Sequence, residues 1–387
     1  MIIYNTTWLY NLLIINVVER EYQEGLLSDK ELKVIRREFP VGFYSPNFFI
    51  RVALFLLTCV ISLFLGGFIS LYLPGDLNIH LILLLFAGLG FLALHIAVQQ
   101  YAHYRSGLDD ALLWISFGLL IAAFSGITDK AGENGPLALS AFVFLLALFL
   151  AIRFADTLIS ISAYLALIST IFFALKNMGA LGLSLMPFAL MLLSALAYRI
   201  VRISMKHKQA RFYVKCLNAL QVSSLISLYA AGNYFLVHSL ENALNNTSST
   251  SIRFGWIFWI FTLLLPPAYI YFGLLRKNLL LIRIGLILTL TGTLTFWHYY
   301  HPVPAEYALL TAGAVILILA WFLIRYLQVP KNGFTSKDGS RSHPGDELQL
   351  ESLIIAESAS GIDQAPVNRG TKMGGGEFGG GGASGNF

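Results

Sequence analysis

Apolar residues in this chain fall in long uninterrupted blocks separated by brief polar punctuation, not in the short amphipathic periods of a soluble helix. A hydrocarbon layer about 30 Å thick takes about 20 helical residues to cross, so each block predicts a membrane span. Ten are read, at residues 50–73, 79–98, 111–127, 137–152, 157–175, 181–200, 219–240, 254–274, 279–297 and 305–327. The fourth and fifth are short and separated only by "RFAD", Arg153–Asp156. One unbroken helix from Leu137 to Leu175 would be about 58 Å long. A tight turn is therefore expected there, clamped by Arg153 and Asp156 as an i, i+3 pair.

Polar signals ahead of the first span predict two further helices. Asn5 to Thr7 offers a cap for a helix running to about Glu24, with Gly25 as its terminator. Ser28 and Glu31 have capping-box spacing, and "SDKELKVIRREFP" should stop before Pro40, because a residue preceding proline resists the α region. The chain thus divides into a helical hairpin at 1–47, expected to be cytoplasmic, a ten-helix membrane domain at 48–327 and a flexible tail at 328–387.

Composition agrees with an all-α integral membrane class: 57% of residues are hydrophobic and 12% charged, where soluble domains carry about a quarter charged. The net charge of +5 does not indicate a nucleic-acid partner. Residues 1–47 hold five basic and six acidic side chains, the tail five and seven, and the membrane domain sixteen and eight. With the N-terminus inside, thirteen of those sixteen basic residues fall on the cytoplasmic side, and only Lys130, Lys176 and Arg253 fall outside. This positive-inside bias predicts that both termini are cytoplasmic.

Chemistry is sparse. Cys59 and Cys216 supply neither a disulfide framework nor a metal motif, and no nucleophile elbow, zinc-protease motif or phosphate loop occurs. No catalytic residue or cofactor is assigned. In the seventh span Ser224, Ser227, Ala231, Tyr234 and His238 share one helical face, either as glue between packed helices or as a polar path. "WHYYHP" places His298 and His301 three apart, a candidate metal pair if a third ligand such as His80 or His238 joins them. His95, in the second span, is expected to be a hydrogen-bonded packing residue beside Gly88 and Gly90. Pro187, Pro266 and Pro267 are expected to interrupt the sixth and eighth spans.

Beyond Leu327 the composition turns to a linker, a short apolar island at Leu348–Ser358 and the closing "GGGEFGGGGASGNF". Glycine at this density favours an extended tether, in which Phe378 and Phe387 are candidate partner-binding anchors. The glycine runs ending in "GGASGNF" resemble the tails of bacterial TPM-domain membrane proteins. The stretch from "EYQEGLLSDKELKVIRREFP" into the first span resembles uncharacterised bacterial multi-pass predicted membrane proteins. These resemblances imply a bacterial cytoplasmic (inner) membrane and bring no activity. The partners expected are the bilayer and a protein bound through the cytoplasmic termini. The function expected is a non-enzymatic component or scaffold of an envelope assembly, with a secondary transporter or channel for a small solute or ion as the alternative.

Overall fold

The computed structural model describes residues 2–72, 78–245 and 254–300, with isolated positions between 304 and 325. His301, most of the span at 305–327, and the tail with Phe378 and Phe387 lie outside the described residues. Two units are distinguished, Met1–His301 and Pro302–Phe387. In the second, the isolated positions from Tyr307 to Arg325 are helical, with the Arg325 guanidinium 5.3 Å from the centre of the Trp321 ring.

The first unit is built of helices: α1 (Thr6–Gln23), α2 (Asp29–Glu38), α3 (Phe48–Tyr72), α4 (Ile79–Gln99), α5 (Leu108–Thr128), α6 (Gly135–Phe154), α7 (Thr157–Asn177), α8 (Ala180–Ser204), α9 (Val214–Gly232), α10 (Tyr234–Asn245), α11 (Gly255–Leu275) and α12 (Leu279–Tyr300). No strand occurs among the described residues beyond an isolated bridge between Tyr44 and His103. Among the described residues, seven helical stretches are long and apolar enough to cross a membrane, or eight if the bent pair α9–α10 is one span. The protein is a multi-pass helical membrane protein.

One of those seven stretches, Leu108–Phe154, is 47 residues long and folds back on itself. Gly132 leaves the helical region at φ 59°, and Phe124 of α5 stacks on Phe142 of α6 with ring centroids 3.9 Å apart. On one continuous helix those rings would be about 27 Å apart. The turn at "RFAD" is equally tight: Ala155 takes the left-handed conformation at φ 50°, and Asp156 caps α7 by accepting from Ile159 N at 2.8 Å. Arg153 and Asp156 form no ion pair; the carboxylate instead accepts from Trp114 Nε1 at 3.3 Å. A cap satisfies a backbone N–H that has no other partner, whereas an exposed ion pair is worth little.

The N-terminal caps form as their spacing requires. Asn5 Oδ1 accepts from Thr7 N at 2.9 Å, Gly25 ends α1 at φ 77°, and Ser28 N donates to Glu31 Oε2 at 2.8 Å in a complete capping box. Those bonds from Ser28 hold the Glu31 carboxyl below its usual range. Proline placement departs from expectation, because α8 continues through Pro187 and α11 through Pro266 and Pro267. Neighbouring helices hold such a helix together although each proline removes one backbone donor. Gly90 of α4 lies so close to Ser116 that an added Cβ would stand 2.2 Å from its Oγ, while Gly88 has open space. His95 lies on the exposed face of α4, not in the packed interface expected for it.

Candidate functional site

The polar stripe of the seventh span is split, because the helix is broken. α9 ends at Gly232 and α10 starts at Tyr234, with a 67° bend at Asn233. Ser224 and Ser227 therefore belong to one helix, and Tyr234 and His238 to another. Ser224 is fully buried and donates to its own helix at Gln221 O, 2.9 Å away. Ser227 donates to Ser194 Oγ on α8 at 2.9 Å and is hydrogen-bonded to the Tyr164 hydroxyl of α7, which also donates to Ser194 at 3.2 Å. Three hydroxyls from three helices thus close on one another, as interhelical glue does.

Asn233 forms the second polar centre. It is 1% exposed, and its Nδ2 donates to Tyr229 Oη at 3.0 Å and to Thr295 Oγ1 of α12 at 3.2 Å. Its Oδ1 accepts from Leu236 N at 3.2 Å, capping α10. Tyr234 N donates to Thr262 Oγ1 of α11 at 2.9 Å. A break at membrane depth exposes backbone polar groups that lipid cannot solvate, and here side chains from α11 and α12 take part in satisfying them. Below the break, Gly292 lets α12 approach so closely that a Cβ would stand 3.1 Å from Thr262 O and 3.2 Å from Tyr229 Oη.

The threonines of α12 serve different sides, as their alternation requires. Thr295 meets Asn233, while Thr289 and Thr293 join Thr262, Pro266 and Pro267 around a cleft of about 310 Å³ between α11 and α12.

Of the candidate metal pair, His301 lies outside the described residues. His298 packs edge-on against Phe235 at 5.1 Å, and His238 Nδ1 lies 3.2 Å from Tyr299 Oη inside an aromatic cluster with Tyr234 and Trp259. His80 instead packs on α5, with Nδ1 3.3 Å from Ala122 O. Among the described residues no group of three His, Cys, Asp or Glu side chains is placed to hold a metal ion.

A third centre was not singled out by sequence reasoning. At the end of the bundle where α6 meets α7, the N-terminal segment docks through Ile3 N to Arg153 O at 2.9 Å. Tyr4 inserts edge-on against Phe43, Tyr104 and Phe154. Burial, reinforced by the negative Asp109 and Asp110, pushes the Tyr4 hydroxyl well above its ordinary range.

Beneath it, Asp109 is 2% exposed and accepts from Arg105 N at 2.7 Å and Ser106 N at 2.8 Å, while Asp110 accepts from Arg51 Nε and Nη2 at 3.1 and 2.5 Å. Buried carboxylates need such partners. The available signal was "RSGLDD": two acids in the first turn of a helix, where the helix dipole favours them, at the same end of the bundle as Arg51.

No family model matches this chain, and neither a curated protein nor a solved structure is significantly similar to it.

Proposed function

We propose that this protein is a non-enzymatic component of an envelope assembly in a bacterial cytoplasmic membrane, and that it binds a partner protein through its N-terminal helix pair. One observation carries this reading. α1 is fastened to the bundle end through Tyr4 and through Asn11 Nδ2, which donates to Pro40 O at 2.8 Å, yet Tyr10, Leu13 and Val17 stand exposed along one face of it. An apolar and aromatic face that is already ordered costs little conformational entropy to dock.

Substituting Tyr10, Leu13 and Val17 together by serine is expected to release partner proteins cross-linked in native membranes while leaving the thermal stability of the purified bundle unchanged. Retention of the same partners by the triple variant would sink the reading.

The topology proposed with it has ten spans and both termini cytoplasmic. Reading α5 and α6 as two passes because of the reversal at Gly132, and the broken α9–α10 as one, gives nine; the tenth is the apolar block at 305–327, and the thirteen-to-three charge bias supports the sidedness. A cysteine replacing Lys208 is expected to react with an impermeant maleimide only after the cytoplasmic face is exposed; labelling from outside in intact cells would refute it.

One observation favours a transporter instead. The break at Asn233 meets Thr262 of α11, about one turn ahead of the two prolines of that helix, and transporters place discontinuous helices where they bind solutes. A folded Thr262→Val variant that loses a solute-dependent growth phenotype while keeping its partners would support that second reading.

A further inference from the structure

The earlier and later helices treat their cations differently. Among the earlier ones, Arg36 pairs with Glu19 at 2.6 Å and Arg51 with Asp110 at 2.5 Å. From Thr157 to Ala305 the sequence holds a single acid, Glu241, and that residue lies with the starts of α8 and α11. At the opposite end, where α8 and α11 close and α12 opens, stand Arg199, Arg202, Arg276 and Arg283. These four make no ion pair among the described residues. Tyr198 joins the two sides of this end, because it packs on the core that Leu225, Tyr269, Leu281 and Ile284 form and accepts from Arg202 Nη1 at 3.4 Å.

The depth of these cations decides what can neutralise them. Arg199 precedes the last residue of α8, Ser204, and Arg283 follows the first of α12, Leu279, by about 6–8 Å along the helix axis. Both are exposed, and each shares its row, three or four residues away, with exposed apolar side chains: Leu196 and Ile203 beside Arg199, Leu279 and Leu286 beside Arg283. Val201, Leu281 and Ile284 are buried on the inner side. The two guanidinium groups therefore stand on the surface that acyl chains cover, and not out on a loop. A long cationic side chain there reaches up to the headgroup level, where the planar guanidinium fork matches a phosphate.

An acidic protein or a nucleic acid would meet the loops first. Only a molecule with an anionic head above apolar chains matches a cation set on an apolar row. We propose that this end of the bundle selects anionic phospholipids, with headgroup phosphates on Arg199, Arg202 and Arg283 and acyl chains along the apolar rows beside Arg199 and Arg283. The proposal needs the membrane spans, but neither the exposed face of α1 nor the sidedness of the termini.

The test uses the full chain in phosphatidylcholine bilayers and compares spin-labelled phosphatidylglycerol with spin-labelled phosphatidylcholine for the fraction immobilised at the protein surface. Both leaflets carry the label, so the result does not depend on orientation. A preference of about fivefold for phosphatidylglycerol is expected, and it should shrink in high salt. Changing Arg199, Arg202 and Arg283 together to glutamine should bring the two lipids to parity, while the same three changed to lysine should keep most of the preference. Arg283→Gln alone should give an intermediate value, which guards against a misfolded triple variant. Changing Lys30, Lys33 and Arg37 of α2 to glutamine removes the same charge and should leave the preference intact. Parity in the wild-type chain, an unchanged preference in the glutamine triple variant, or an equal loss in the α2 control would overturn the proposal. Parity that turns into a preference once Asp346, Glu347 and Glu351 are neutralised would overturn it in favour of an acidic peptide.

Discussion

Replacing Gly107 with valine is expected to cost the protein about 2–4 kcal/mol, the combined result of forced backbone strain and a steric clash. Gly107 lies at φ 91°, where a side chain is rarely accommodated, and a Cβ built on it would stand 2.0 Å from Arg51 O and 2.9 Å from Arg51 C. These are backbone atoms of α3, so no side-chain rotation relieves the contact. The glycine also precedes the paired acids of α5, so displacing it separates Asp110 from Arg51. That would leave a half-buried charge without its partner, which is expensive. Unfolding in mixed micelles reads the loss directly. Gly88→Ala is the matched control, because nothing lies within 4 Å of its added Cβ and the helix gains from the exchange. Equal stability of the Gly107→Val and Gly88→Ala proteins would show that the close crossing of α3 and α5 is not a fixed contact.

The second large effect is expected at the helix break. Asn233→Ala removes the donor to Tyr229 Oη and Thr295 Oγ1 and the acceptor for Leu236 N, all inside the bundle. An unsatisfied buried group costs about 1–3 kcal/mol and a lost cap about 1 kcal/mol. A total of about 2–4 kcal/mol is expected in the same unfolding assay, together with faster hydrogen exchange at the amides of residues 235–237. Asn233→Ser should restore part of the cap and none of the reach to Thr295. If Asn233→Ala unfolds like the wild type, the break is held by α11 alone through Tyr234 N and Thr262, and Asn233 is an ornament of it.

The two predictions differ in how visible their causes are along the chain. Gly107 could be marked as a turn glycine from "RSGLDD", but not as the contact point of α3, because Arg51 lies 56 positions earlier. Asn233 sits in a run that reads as one continuous apolar helix with a polar stripe, and its partner Thr295 is 62 positions away. By contrast, the capping box of Ser28 and Glu31, the stop before Pro40 and the turn at Ala155 depend on neighbours within a few residues, and each was legible.

The same distinction separates the histidines. His298 was marked by its spacing from His301 alone, which says nothing of the Phe235 ring that packs edge-on against it in space. His95 looked interior because its whole surroundings are apolar, yet it faces outward.

Hydropathy and end signals by themselves determined that the chain is helical, that it enters a membrane several times, and, outside the seventh span, roughly where the described helices begin and stop. Those properties follow from transfer free energies and local backbone chemistry, which act within a window of about 20 residues. Tertiary structure alone decided which face of each span is packed, where the seventh span breaks, and which acids and hydroxyls meet. Inside lipid both faces of a helix can be apolar, so the 3.6-residue period that marks the core side of a soluble helix disappears. The choice then rests on small residues and polar pairs, such as Gly90 with Ser116 and Asn233 with Thr295, whose partners only the folded chain brings together.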